Sequence, residues 1–221
     1  MLTNWHKSIA ERNKRKQHRD IAKLWLGKET MSKQAKVLSG AEIRRVLDYC
    51  ATRKHSQRNR ALVMIMFNTG MRVSEVASLR IKDVVDNEGN IKNEIRLLAE
   101  NTKTNEARTV FVNEKLCKEL QQYAKLLTND SPNNKFFYSQ KKDSDGFTAN
   151  TLTQHFHYLY KRVGLDGASS HSGRRSFITK LSAKSVPLKV LMEMVGHRNL
   201  QTTQRYIEVT PDQKRAAAEL I

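Results

Sequence analysis

Seven consecutive apolar residues, Ala61-Leu62-Val63-Met64-Ile65-Met66-Phe67, leave this chain little choice about its centre. A stretch that is apolar on every face is stable in water only where other elements surround it. The spacing therefore predicts a buried core helix, ended near Gly70. Amphipathic segments on both sides can supply the cover. Ser39-Gly40-Ala41-Glu42 reads as a capping box that opens a helix, and Ile43, Val46, Leu47 and Cys50 follow at helical spacing. A short helix is expected through Val73, Val76 and Leu79. Helical patterns resume at about 114–127, 148–163, 172–184, 188–195 and 199–208, punctuated by Gly164, Pro187 and Gly196. Between 81 and 112 the period changes. Ile91 to Leu98 and Arg108 to Val112 look like two strands on either side of a polar turn, Asn101-Thr102-Lys103-Thr104-Asn105-Glu106. The expected fold class is mainly α with one small antiparallel β-sheet (α+β).

Charge narrows the partner. Forty Lys and Arg against 22 Asp and Glu leave a formal charge of +18 over 221 residues. Such a surplus implies a polyanion, because cations that neutralise phosphates release condensed counterions. Nucleic acid comes first and an anionic membrane surface second, since no apolar stretch approaches the roughly 18 residues of a spanning helix. Residues 1–36 hold ten Lys or Arg against three Asp or Glu. They read as a basic arm, helical or disordered, that can lie on DNA, with Lys33 and Lys36 as contacts. Met1-Leu2-Thr3-Asn4-Trp5 runs into charge without an apolar secretory core, so a cytoplasmic, nucleoid-associated protein is expected. Cys50 and Cys117 lie on apolar helix faces and read as buried small hydrophobes; two isolated thiols make neither a disulfide framework nor a zinc site.

Five places carry possible chemistry, and each has a plain structural reading. Arg72 and Glu75, three apart in Gly70-Met71-Arg72-Val73-Ser74-Glu75, suit a surface ion pair. Lys103 at a hairpin tip suits solvent. His171 and Arg174, in His171-Ser172-Gly173-Arg174, suit a polar helix edge. His197, after Gly196, sits where a helix dipole favours a cation. Tyr206, closing Thr202-Thr203-Gln204-Arg205-Tyr206, suits a core position.

In this order and together, the same residues resemble the tyrosine recombinase (phage integrase) family. The similarity extends to Val195-Gly196-His197-Arg198-Asn199-Leu200-Gln201-Thr202-Thr203-Gln204-Arg205-Tyr206 and covers roughly residues 37–210. The resemblance implies the family's catalytic-domain fold and a chemistry without metal or other cofactor. A tyrosine oxygen attacks a phosphodiester, giving a 3′-phosphotyrosine and a free 5′-hydroxyl. The bond energy is kept, so a second 5′-hydroxyl rejoins the strand without ATP. Negative charge builds on the non-bridging oxygens in the transition state, and guanidinium groups are suited to it. By resemblance Tyr206 is the nucleophile, Arg72, Arg174 and His197 stabilise the charge, and Lys103 is the general acid for the leaving oxygen. His171 is the expected base or proton shuttle, because a phenol with a pKa near 10 needs help to deprotonate. Arg108 competes with Lys103 on sequence alone, but it alternates with Val110 and Val112 as a strand residue. Arg175 and Arg198, beside these positions, are expected on flanking backbone phosphates. The resemblance also implies a tetramer on double-stranded DNA carrying specific recombination sites, helped by accessory DNA-bending proteins.

One departure stands out. Most integrases carry a helical core-binding domain before the catalytic one, whereas only some 36 basic residues precede it here. That is similar to the compact fimbrial phase-variation invertases, and the initial Met favours a short protein over a fragment. After Tyr206, Pro211 and the residues to Ile221 read as a short terminal helix offering Ala216, Ala217, Leu220 and Ile221 as an apolar patch. In the family such a tail docks on a neighbouring subunit; lost recombination with retained cleavage on deleting 211–221 would mark that role. Two other functions remain open at this point. A type IB topoisomerase shares the chemistry, and plasmid relaxation without a recombination site would reveal it. A non-catalytic DNA-binding accessory protein would show a damaged catalytic set.

Overall fold

The structure, a computed structural model, describes residues 34–102, 105–127, 130–140, 144–206 and 211–219, without the side chains of 211–213 and 216. The chain divides into two compact units, 1–34 and 35–221, and the helices and strands of the described residues lie in the second. Lys33 and most of the basic arm lie outside the described residues.

The apolar run forms the centre, as its composition demands. Helix α1 (Gly40–Ala51) opens with the capping box: Glu42 N donates to Ser39 Oγ at 3.2 Å and Ser39 N to Glu42 Oε2 at 2.9 Å. Helix α2 (Ser56–Thr69) carries the run, and Ala61 to Met66 are at most 2% exposed. Each fully buried Leu, Val, Ile or Met contributes about 1.5–3 kcal/mol relative to leaving it in water. The short helices α3 (Val73–Ser78) and α4 (Ile81–Val84) follow. Strands β1 (Glu94–Leu97) and β2 (Arg108–Phe111) pair antiparallel with Leu97 opposite Arg108 and Glu94 opposite Phe111. The first strand is shorter than its apolar pattern suggests, because Ile91 makes an isolated bridge with Val85 and its N–H goes to the Gln121 side chain at 3.0 Å.

Helix α5 (Glu114–Ala124) is capped by Asn113, whose side chain accepts from Leu116 N, and gives way to a 3₁₀ turn over Lys125–Leu127. Helix α6 (Ala149–Val163) starts at Thr148 and stops at Gly164. Helices α7 (Ser172–Ala183), α8 (Leu188–Val195), α9 (Leu200–Gln204) and α10 (Pro211–Ala218) complete the described chain. The architecture is mainly helical with one two-stranded antiparallel sheet.

Helices α1, α5 and α7 pack around α2. Gly173 lets α7 come in close, since a Cβ there would sit 2.7 Å from Met66 Cβ and 3.1 Å from the Met66 backbone. Rings of Tyr123, Phe136 and Phe137 fill the far side of the core, with Tyr123 Oη donating to Phe136 O at 2.8 Å. Cys50 lies in this core, where burial pushes its thiol up to about 12, and Cys117 packs half-buried against it. A smaller second cluster joins Phe177, Ile178 and Val195, with Leu181, Met194 and Tyr206 against it. This cluster ties α7 to the end of α8.

Candidate functional site

Helix α8 stops at Gly196, which adopts φ 65°. The last carbonyls of a helix have no partner inside it and carry the negative end of its dipole. Here three consecutive carbonyls each meet an arginine. Arg108 Nη1 donates to Met194 O at 2.7 Å, Arg174 Nη2 to Val195 O at 2.7 Å, and Arg72 Nη2 to Gly196 O at 3.1 Å. The three arginines come from three elements: Arg72 is the N-cap of α3, Arg108 begins β2, and Arg174 lies in the first turn of α7. Arg174 also donates through Nη1 to Gly70 O at 2.7 Å. Gly196 is needed for more than its backbone angle. A Cβ there would lie 2.8 Å from Arg108 Cδ and 3.1 Å from Nε, blocking the path of that side chain across the helix end.

One carboxylate serves this cluster, and it is not at the surface as its spacing from Arg72 suggests. Glu75 is 0% exposed. Its Oε1 accepts from Arg72 Nη1 at 2.9 Å, and its Oε2 from Arg72 N and Arg108 Nη2, both at 2.7 Å. The difference arises because Arg108 reaches Glu75 from the sheet and encloses it. Three guanidinium groups against one carboxylate leave an excess of positive charge in a desolvated place. Burial is the main reason that Arg174 falls to about 9, with Arg72 adding to the effect, and burial lowers Arg108 in spite of Glu75. Such a place attracts an anion.

His197 follows Gly196. Burial, then Arg174, Arg72 and Arg108 in that order, hold it down to about 4, so it is neutral at neutral pH. The helix end alone would favour a cation there; burial and the arginines together reverse that. Its Nδ1 is 2.8 Å from Oγ1 of the fully buried Thr203. With the Thr203 hydroxyl donating to Nδ1, the ring proton sits on Nε2 and becomes a hydrogen-bond donor.

Tyr206 is half-buried, more accessible than a core tyrosine. Its ring lies nearly parallel to that of His197, with centroids 6.0 Å apart, and its carbonyl accepts from Thr179 Oγ1 at 3.2 Å. The Arg175 guanidinium lies 5.9 Å from the Tyr206 ring centroid and donates to Ala35 O at 3.1 Å. Arg175 is thus turned toward the nucleophile candidate and the start of the unit.

The remaining expected residues are placed as follows. His171 is exposed at the N-cap of α7, one turn ahead of Arg174. Arg198 is 60% exposed and pairs with Glu106 at 3.1 Å, and Lys36 pairs with Glu42 at 2.7 Å. Exposed pairs like these contribute at most about 1 kcal/mol, so a phosphate can compete for either cation. Lys103 lies outside the described residues. Thr102, its neighbour in the sequence, has its Oγ1 3.0 Å from Ala99 O and 2.9 Å from Glu106 O.

Sequence reading missed Glu75 as a shared counter-ion and Arg108 as a member of the cluster. A signal was present. Arg108 falls on the same strand face as buried Val110, and an arginine on a buried face needs an acceptor. A cavity of 460 Å³ borders the cluster, lined by Arg108, Gly196, His197 and Arg198 among others. A larger one of 630 Å³ opens at the opposite end of α2, beside Arg58 and His155, away from this chemistry.

Comparison with known proteins identifies relatives of this chain. Residues 36–213 match the phage integrase family. Tyrosine recombinase XerA of Pyrococcus furiosus is 27% identical over 184 residues, 83% of this chain and 61% of that protein. Tyrosine recombinase XerA of Thermococcus kodakarensis is 30% identical over 188 residues, 83% of this chain and 62% of its own length. The chain therefore spans about three fifths of these curated relatives. Among solved structures, XerA recombinase superposes with a TM-score of 0.67 at 26% identity, over 84% of this chain and 64% of that one. The catalytic domain of bacteriophage HP1 integrase shares the fold with a TM-score of 0.58 at 21% identity, over 84% and 95% respectively. The match to the family spans most of the sequence, and with it the chain belongs to the phage integrase family.

Proposed function

We propose that this chain, through residues 37–210, cleaves and rejoins DNA strands as a site-specific tyrosine recombinase. The observation that carries this reading is the convergence of Arg72, Arg174, neutral His197 and Tyr206 at the end of α8. Recombinase relatives support it, as does a structure of the Tn1549 transposon integrase in complex with a circular intermediate DNA, similar at 25% identity and a TM-score of 0.67.

The scissile phosphate is the anion that this excess of guanidinium charge receives. Arg174 has committed one hydrogen on each of two nitrogens to carbonyls, and Arg72 one to the Glu75 carboxylate and one to the Gly196 carbonyl, which leaves each with other N–H donors for phosphate oxygens. These donors are fixed before the reaction, so they stabilise developing charge without reorganising. His197 adds a neutral donor through Nε2. Tyr206 Oη forms the bond to phosphorus as the P–O5′ bond breaks. The phenol proton passes to His171, and O5′ takes a proton from Lys103. The chemistry asks nothing of a metal or other cofactor. Arg198, Arg175, Lys36 and Lys33 contact flanking phosphates, and the 211–221 tail docks on a neighbouring subunit of a tetramer assembled on DNA in the cytoplasm, with accessory bending proteins.

The test is covalent capture. Protein is incubated, without metal or ATP, with nicked suicide duplexes drawn from the DNA that flanks its own gene. A shifted band on a denaturing gel that disappears in Tyr206→Phe is expected. A band that survives the substitution overturns the assignment of the nucleophile. On the same duplexes, Arg198→Ala is expected to weaken binding and lower the salt slope by about one; an unchanged slope removes Arg198 from the interface.

A further inference from the structure

Arg108 belongs to none of the roles above, yet both arms of its guanidinium are committed to partners within the cluster. It is 9% exposed at its side chain and stands at the root of β2. One arm of its guanidinium holds Glu75 Oε2 and the other Met194 O, both at 2.7 Å. Its Nε is buried without a hydrogen-bond partner among the described residues. Both arms of the guanidinium are thus tied to the protein.

These contacts form a closed circuit. Met194 O is held by Arg108, Arg108 by Glu75, Glu75 by Arg72, and Arg72 by Gly196 O, two residues beyond Met194 on the same turn. Each member fixes the next. Opening the circuit at Arg108 also redistributes charge: Glu75 would be left with Arg72 as its one cation, which would draw Arg72 away from the phosphate. By sharing Glu75, Arg108 keeps Arg72 partly uncommitted.

We propose that Arg108 is a positioning residue, which sets Arg72 and the 194–197 turn in register for the scissile phosphate without touching DNA itself. The inference rests on the recombinase reading above, and its test separates the two.

Arg108→Met removes both arms, and Arg108→Lys keeps the charge but cannot span both acceptors. Three quantities are read: the single-turnover rate of covalent capture, the Kd for the same duplex, and the titration of the His197 ring by NMR. Arg108→Met is expected to slow capture about 100-fold with Kd changed less than about threefold, the effect of a misplaced but intact site. His197 is faced by Arg72, Arg174 and Arg108, by the Thr203 hydroxyl and by the Tyr206 ring, with Glu75 behind the arginines. Arg108→Met removes one cation and uncovers Glu75, so His197 titrates higher than in the parent. Arg108→Lys leaves His197 near its parental titration while capture stays at least about tenfold slow, which separates position from charge. If the methionine variant fails to fold, the lysine variant carries the test.

Capture at the parental rate in the soluble variants overturns the inference, as does a loss of affinity equal to the loss of rate, which would make Arg108 a DNA contact. If the parent itself forms no adduct dependent on Tyr206, the recombinase reading falls, and His197 still decides the local claim: an unchanged titration in Arg108→Met overturns it.

Discussion

Arg174→Met is expected to lower strand cleavage at least about a thousandfold while shifting Tm by only a few degrees. The rate loss follows from removing preorganised donors aimed at the developing charge; one such donor contributes about 10²–10³ and Arg174 presents several. The small effect on stability comes from two opposed terms. Burial first, and Arg72 after it, hold Arg174 down to about 9 from the ordinary 12.5, which disfavours the charged form in place by on the order of several kcal/mol. Its removal leaves Gly70 O and Val195 O without that donor, at about 1–3 kcal/mol each. The two oppose each other, so the change in stability is expected to be small beside the change in rate. Capture kinetics and calorimetry on the same preparation check both halves. A methionine variant within tenfold of the parental rate would remove Arg174 from the chemistry.

Glu75→Gln is expected to behave in the opposite way, with the larger loss in stability. Glu75 is the carboxylate hydrogen-bonded to the arginine cluster, and among the described residues it has no substitute. Neutralising it leaves three buried guanidinium groups facing one another, a loss of about 3–5 kcal/mol by analogy with breaking other buried pairs. Sulfate or duplex DNA is expected to restore part of this, because an anion that binds only the folded form stabilises it by mass action. Denaturant midpoints with and without added anion provide the measurement. A Gln variant as stable as the parent in low-anion buffer would mean that Glu75 is not the counter-ion that the geometry makes it.

Much of this was legible in the sequence, for identifiable reasons. Helix α1 shows itself through Ser39 and Glu42, α2 through its apolar run, and α6 and α8 through the glycines that stop them. These are local signals, decided within a few residues. Arg72, Arg174, His197 and Tyr206 were named through a family pattern, and the fold brings them together. Burial is where reading failed. The same three-residue spacing of Arg72 and Glu75 suits an exposed pair or an enclosed one, and Arg108, 33 positions further on, decides which. The state of His197 was hidden for a similar reason: its own helix end favours a cation, but burial, and after it three arginines from other elements, outweigh it. Backbone carbonyls leave no trace in a sequence at all, so Met194, Val195 and Gly196 could not be recognised as the acceptors around which the arginines gather.

That arrangement bears on which changes in length this chain can accept. Successive carbonyls on a helix are rotated by about 100°, and the three arginines approach from directions set by elsewhere in the chain. Substitutions along α8 can leave its final turn in place, whereas inserting or deleting a single residue turns every carbonyl away from its guanidinium at once. The stretch from Leu188 to Gly196 therefore acts as a fixed-length gauge. Length variation among relatives should collect in the loops on either side of it, and a grafted helix would need the same residue count even if it shared none of the side chains.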